Sequence, residues 1–154
     1  MSRSNLSESY CSIARTIATV GDEWSLMIIR EMFLGGPRRF DHFQKHLDAS
    51  TNTISQRLKK LEVDGIISRT VYRERPVRHE YWLTEKGLGL WPVFVTMKNW
   101  GDQWLMEGPP LFEIEHKECG HLTVPQLYCS HCSKPMTAKD AKAKLNTQVL
   151  TSKS

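Results

Sequence analysis

The chain has 154 residues, enough for one domain with a hydrophobic core plus an appendage. Its 40% hydrophobic and 25% charged residues are ordinary for a soluble protein, and no run of about 18 apolar residues occurs, so no membrane-spanning helix is expected. The N-terminal MSRSNLSESY lacks the apolar segment of a secretory signal, which makes the cytoplasm the expected location. The net charge is +4, and an equal excess sits in one segment: from Arg57 to Arg78, seven basic residues face three acids. A local basic excess points to a polyanionic partner.

Residues 1–10 are polar and read as a flexible N-terminus. From Cys11 onward, Ile13, Ile17 and Val20 recur on one helical face until Gly21. Asp22 suits the N-cap of a second helix, to which Trp24, Met27, Ile28, Met32 and Phe33 give a broad apolar surface, and Gly35-Gly36-Pro37 breaks it. Phe40, Phe43 and Leu47 place a third helix within 38–47, followed by a short turn at Asp48-Ala49-Ser50. Over 51–64, Ile54, Leu58 and Leu61 fall at i, i+4 and i+7, which is one apolar stripe of a helix. The other faces carry Asn52, Ser55, Gln56, Arg57, Lys59 and Lys60, whose amides and basic groups can bond to base edges and phosphates. Ser50 or Thr51 can cap its start, and Gly65 suits the left-handed residue just past its end. Two short helices joined by a short turn, the second polar outside, form a helix-turn-helix.

After Gly65 the period changes. Residues 66–72, rich in β-branched and aromatic side chains, read as a strand, 73–78 as a charged turn with Pro76, and 79–83 as the returning strand. A basic-tipped hairpin in this place is what a wing looks like, with Arg73, Arg75 and Arg78 beside a sugar–phosphate backbone. Thr84 can cap a further helix running to about Leu105, and Pro92 predicts that it bends or starts there, giving two pieces. Leu88, Leu90, Trp91, Val93, Phe94, Val95, Met97, Trp100 and Trp104 are too many apolar residues for one stripe, so two sides must be covered. A two-fold dimer interface does this and presents two reading helices to a palindromic site; a buried central helix in a monomer is the alternative.

Gly108-Pro109-Pro110 marks a boundary, so a domain over 11–106 gives way to a small extension at 107–136 and a polar tail at 137–154. The tail reads either as a short helix through Ala143, Leu145 and Val149 or as a frayed end. Three of the four cysteines cluster in the extension, which in a cytoplasmic chain reads as metal binding before disulfides. Cys129-x2-Cys132 has the spacing of a zinc knuckle, and His116-x2-Cys119 repeats it upstream. Three thiolates and one imidazole close a tetrahedral site, with His121 as the alternative fourth ligand and His131 less suited inside the second knuckle. One structural zinc is therefore the expected cofactor; free thiols used for redox sensing are the rival reading.

Cys11, then GDEWSLMIIREMFLGGPRRFDHFQ at 21–44, TISQRLKKLEVDGIISR at 53–69, the wing and YWLTEKG at 81–87 together resemble the HxlR-type winged helix-turn-helix regulators, in unbroken order over roughly residues 10–105. The resemblance implies an α+β, mostly helical fold: a winged helix-turn-helix with a two-stranded wing and a long C-terminal dimerisation helix, here followed by the zinc-knuckle-like extension. It also implies a homodimer on palindromic double-stranded DNA that represses or activates nearby genes in bacteria, with repression the expected mode. Carried over, Thr51, Asn52, Thr53, Gln56 and Arg57 would face the major groove, Arg38, Arg39 and Lys60 would touch phosphate, and Arg73, Arg75 and Arg78 would serve the wing. The family's usual proline near position 51 is threonine here. Cys11 matches a cysteine that in some members senses oxidants or electrophiles, and a helix N-terminus favours its thiolate. Its bland alternative is a small, half-buried packing residue at a dimer interface. The effector, a small molecule or an oxidant, is left open by the family.

No phosphate-cradling glycine loop, paired carboxylates or nucleophile motif is present, so an enzyme is not expected. The alternative to a DNA-binding regulator is a zinc-stabilised interaction module or a thiol redox protein without specific DNA binding.

Overall fold

A computed structural model describes residues 6–145. The chain divides into two compact units, Met1–Phe94 and Val95–Ser154. The division falls inside a helix, upstream of the Gly108-Pro109-Pro110 boundary that composition picks out.

The first unit opens with α1 (Ser12–Val20) and α2 (Glu23–Gly35). Asp22 caps α2 as expected: its carboxylate accepts from the Ser25 N–H at 3.0 Å and from the Ser25 hydroxyl at 2.6 Å. Gly36, at φ +74°, turns the chain out of α2. Arg38 and Arg39 then form a two-residue strand, β1 (Arg38–Arg39), paired antiparallel with Tyr81 and Glu80. The expected third helix accordingly starts two residues later, as α3 (Phe40–His46), because an element distant in sequence claims the backbone of the two arginines.

The reading helix is α4 (Thr51–Val63). Its cap is Ser50, whose hydroxyl accepts from the Thr53 N–H at 3.1 Å. Gly65 takes φ +70°, and the Ile66 N–H closes on the Leu61 carbonyl at 2.9 Å, ending the helix with a left-handed turn. Ile54, Leu58 and Leu61 are buried against Ile28, Ile29 and Met32 of α2 and Phe43 of α3 in one core. Each such side chain contributes about 1.5–3 kcal/mol by leaving water.

The wing is longer than the sequence predicts. β2 (Ile67–Glu74) and β3 (Val77–Leu83) leave only Arg75 and Pro76 as the turn, with a register shift between Val71 and Arg73. The sheet order is β1-β3-β2. Thr84 joins this sheet to the end of α4: its hydroxyl donates to the Gly65 carbonyl at 2.6 Å and accepts from the Gly87 N–H at 3.1 Å. A Cβ on Gly87 would stand 2.2 Å from the Ile66 carbonyl, so the close approach excludes any side chain there.

Thr84 caps only a single turn, α5 (Glu85–Leu88), and the long helix α6 (Trp91–Trp104) begins afresh with Pro92 in its first turn, where the missing N–H costs nothing. The expected helix is thus two pieces. In the second unit, beyond α6, β4 (Ile114–His116) and β5 (His121–Thr123) form a short hairpin, and Asn99 Nδ2 donates to the Pro125 carbonyl at 3.2 Å. Residues 137–145 carry a turn and no helix, so Ala143 and Leu145 are not helical; Val149 lies outside the described residues. The Thr137 side chain bonds instead to Asp140, a local alternative to helical backbone pairing.

Candidate nucleic-acid interface

Burial of Ile54, Leu58 and Leu61 turns the opposite side of α4 outward. Asn52, Ser55, Gln56 and Lys59, at i, i+3, i+4 and i+7, form that exposed stripe. Ser55 and Lys59 lie outside the set carried over from the family, although both stand among the polar residues that the helix pattern turns away from the apolar stripe. Thr51 is exposed at the helix start, where its hydroxyl accepts from Gln44 Nε2 at 2.9 Å. Thr53 is half-buried, its hydroxyl 2.8 Å from that of Ser50.

Arg57 and Lys60 lie on the flank of α4 and are engaged within the chain. Arg57 Nε is 2.9 Å from Asp22 Oδ1, and the two side chains are mostly buried. Lys60 Nζ donates to the Thr19 carbonyl and to Asp64 Oδ2, each at 2.5 Å. Both cations thus bind the corner between α1 and α2 to the reading helix.

The basic residues of the first unit outside α4 divide in the same manner. Arg38 Nη1 donates to the Gly35 carbonyl at 2.6 Å, satisfying an orphan acceptor at the end of α2. Arg39 stacks on the Tyr72 ring at 4.0 Å and lies 3.6 Å from Glu80 Oε1, with half of its side chain exposed. Arg69 Nε meets Glu62 Oε1 at 3.1 Å and braces the base of the wing against α4. At the tip, Arg73, Arg75 and Arg78 are all exposed, and Arg73 stands directly across the strands from Arg78. Like charges held opposite one another are destabilising by themselves, and a polyanion relieves them. Between α3 and the wing runs a cleft of about 420 Å³ lined by Arg39, Gln44, Tyr72, Arg78 and His79 among others.

Of the cysteines, Cys11 is the N-cap residue of α1; its thiol is free and exposed. In the extension, His116 Nδ1 is 3.3 Å from Cys119 Sγ across the β4–β5 turn, where Gly120 takes φ +69°. Backbone N–H groups of Cys132 and His131, then the Cys132 side chain, bond to the Cys129 sulfur and hold its thiol below the ordinary value. Each pair of expected zinc ligands is therefore formed locally. The structure does not bring the pairs together: among the described residues, no three of these ligand atoms lie within 4.8 Å of one another. His121 stands in β5, directly across from His116.

The profile of the HxlR-like helix-turn-helix family matches residues 19–109. An uncharacterised HTH-type transcriptional regulator of Mycobacterium tuberculosis is 40% identical over 131 residues, covering 84% of this chain and 82% of that one. A corresponding regulator of Synechocystis is 37% identical over 113 residues, 73% of this chain and 78% of the other. Among solved structures, PA1607, a candidate transcription factor, superposes with a TM-score of 0.79 at 28% identity, covering 92% of this chain and 99% of its own. The reduced form of the redox regulator HypR gives a TM-score of 0.57 at 32% identity over 60% of this chain and 92% of that one. Reduced YodB of Bacillus subtilis, a transcriptional regulator, gives 0.53 at 34% over 66% of this chain and 100% of its own. The described residues contain no helix long and apolar enough to cross a membrane. Residues 19–109, which the family profile matches, hold both the anchored helix with its polar outward stripe and the arginine-tipped wing that follows it, and the chain belongs to the HxlR-like helix-turn-helix family of transcriptional regulators.

Proposed function

We propose that the chain acts as a homodimeric repressor that reads palindromic DNA through Asn52, Ser55, Gln56 and Lys59, with Thr51 at the helix start and the wing arginines on the backbone. The observation that carries this reading is the exposed stripe on α4, turned outward by the burial of Ile54, Leu58 and Leu61 in the core. Asn and Gln can bond bidentately to adenine, and Lys to guanine or phosphate. Arg57 and Lys60 contribute by fixing the pose of α4, and Arg38 by closing α2.

Dimerisation is supported by α6. Met97, Trp100 and Trp104 fall at i, i+3 and i+7, and the two tryptophans are 58% and 66% exposed. A row of indoles in water is a docking surface, and a second copy offers the same row. On α1, Ile13 and Ile17 are exposed on one stripe in the same way.

Oxidant control through Cys11 is favoured by its free, exposed thiol at a helix N-terminus and by the redox regulator HypR among the similar structures. Two Cys11 thiols from two protomers would lose two protons and two electrons to an oxidant such as diamide, forming one disulfide. A structural zinc in the extension would close the His116–Cys119 and Cys129–Cys132 pairs on one ion; the lowered Cys129 thiol suits that role.

Selection of bound DNA from a random pool at two salt concentrations tests the central reading. A recovered palindrome with half-sites one helical turn or a multiple apart is the expected result. Enrichment of no sequence, with weak binding abolished by salt, would leave only non-specific attraction.

A further inference from the structure

Glu31 of α2 and His42 and His46 of α3 form a cluster that the outward face of α4 does not use. Among the described residues they are the only His, Cys, Asp and Glu set in which three ligand atoms lie within 4.8 Å of one another. The histidines are four residues apart, so one turn of α3 stacks their rings with centroids 4.0 Å apart. His46 Nδ1 lies 2.8 Å from the His42 carbonyl oxygen. A carbonyl only accepts, so Nδ1 carries the proton and the lone pair sits on Nε2, the tautomer that a metal-binding histidine uses.

The carboxylate is arranged to match. Arg30 donates to Glu31 Oε1 through Nε at 3.1 Å and also through Nη2, which leaves Oε2 turned toward the imidazoles, 2.7 Å from His42 Nε2. Burial alone would raise the Glu31 pKa, but the hydrogen bonds from His42 and Arg30 outweigh it and hold the group below 4.5, ionised at neutral pH.

We propose that Glu31, His42 and His46 bind a late first-row divalent cation of the zinc, cobalt or nickel class, tying α2 to α3. Two imidazoles and one carboxylate select that class over calcium and magnesium, which take oxygen ligands. The ion takes the place of the proton that His42 Nε2 donates to Glu31 Oε2, and that proton is released to solvent. With metal–ligand bonds of about 2.1 Å, tetrahedral ligand atoms stand about 3.4 Å apart, so the 2.7 Å pair opens by less than about 1 Å. His46 is exposed and gives the ion a route from solvent, and three protein ligands leave a fourth position for water. The Arg30 charge opposes the cation and sets the affinity below that of a site without it. Both bridged helices pack against α4, so the ion would stiffen the frame behind the reading helix.

The test titrates Co2+ into the full chain carrying Cys119→Ser, Cys129→Ser and Cys132→Ser, which removes thiolate coordination in the extension. Visible ligand-field absorption without a thiolate charge-transfer band is expected, together with a raised melting temperature. His46→Ala, at an exposed position, should leave metal-free melting unchanged and weaken Co2+ binding at least about tenfold. With no histidine replaced, Co2+ should broaden the ring resonances of His42 and His46 before those of the other histidines. Absence of Co2+ absorption, broadening that starts elsewhere, or an affinity unaltered by His46→Ala would each overturn the site.

Discussion

On α4, Ile54, Leu58 and Leu61 are at most 2% exposed, whereas Leu122, Val124 and Leu127 in the extension are 61–67% exposed. The reading helix is fixed by apolar side chains from several elements, and its polar stripe points where that burial sends it. The extension has no comparable anchor. It is ordered by bonds such as Ser133 N–H to the Cys129 carbonyl and Met136 N–H to the Leu127 carbonyl, at 2.9 and 2.8 Å, each worth about 1 kcal/mol net. A recognition surface can be built on the first kind of structure; the second kind has more to gain from an ion or a covering partner that binds its folded form.

The largest expected effect breaks this contrast most directly. Leu58→Ala should cost about 2–5 kcal/mol of stability, while Leu122→Ala should cost less than about 0.5 kcal/mol; equal losses in denaturant melts would show that the extension has a core after all. Next, Asn52→Ala and Gln56→Ala should each remove about 1–3 kcal/mol from cognate DNA binding in titrations, with the melting temperature unchanged.

Glu31→Gln should cost about 1–3 kcal/mol of stability at neutral pH, since buried donors lose a charged acceptor. Its folded-state carboxyl is held below 4.5, so the stabilisation is fully present above that pH and is lost as the pH falls through the lowered value. Melting curves recorded across this range should show an acid limb that the substitution flattens. A smaller change is expected from Arg75→Ala, which should weaken binding to all sequences and reduce the salt slope by about one. Smallest for the reading helix is Cys129→Ser, which removes a proposed ligand in the extension alone: amide exchange at Cys129–Ser133 should quicken, while the amides of α4 stay protected. Parallel loss in both regions would join what the contrast separates.

The order helix, turn, reading helix, wing could be read before any coordinates because each signal is local. Ser50 and Asp22 cap the helices that follow them, Gly65 supplies the left-handed turn, and the spacing of Ile54, Leu58 and Leu61 sets which face is buried. These depend on backbone geometry within a few residues. The resemblance to the family rested on the same stretches.

Tertiary structure decided which polar residues remain available. Arg57 looks like a reader along α4, but its long side chain finds Asp22, thirty-five positions earlier, and Lys60 finds the Thr19 carbonyl. Arg38 and Arg39 give up helical backbone to a strand pair with residues 80 and 81. Glu31 meets His42 and His46 only because α2 and α3 pack against each other. Periodicity and caps fix where a side chain starts. The partner it reaches is set by charges and carbonyls brought near by other elements, and those distances exist only in the folded chain.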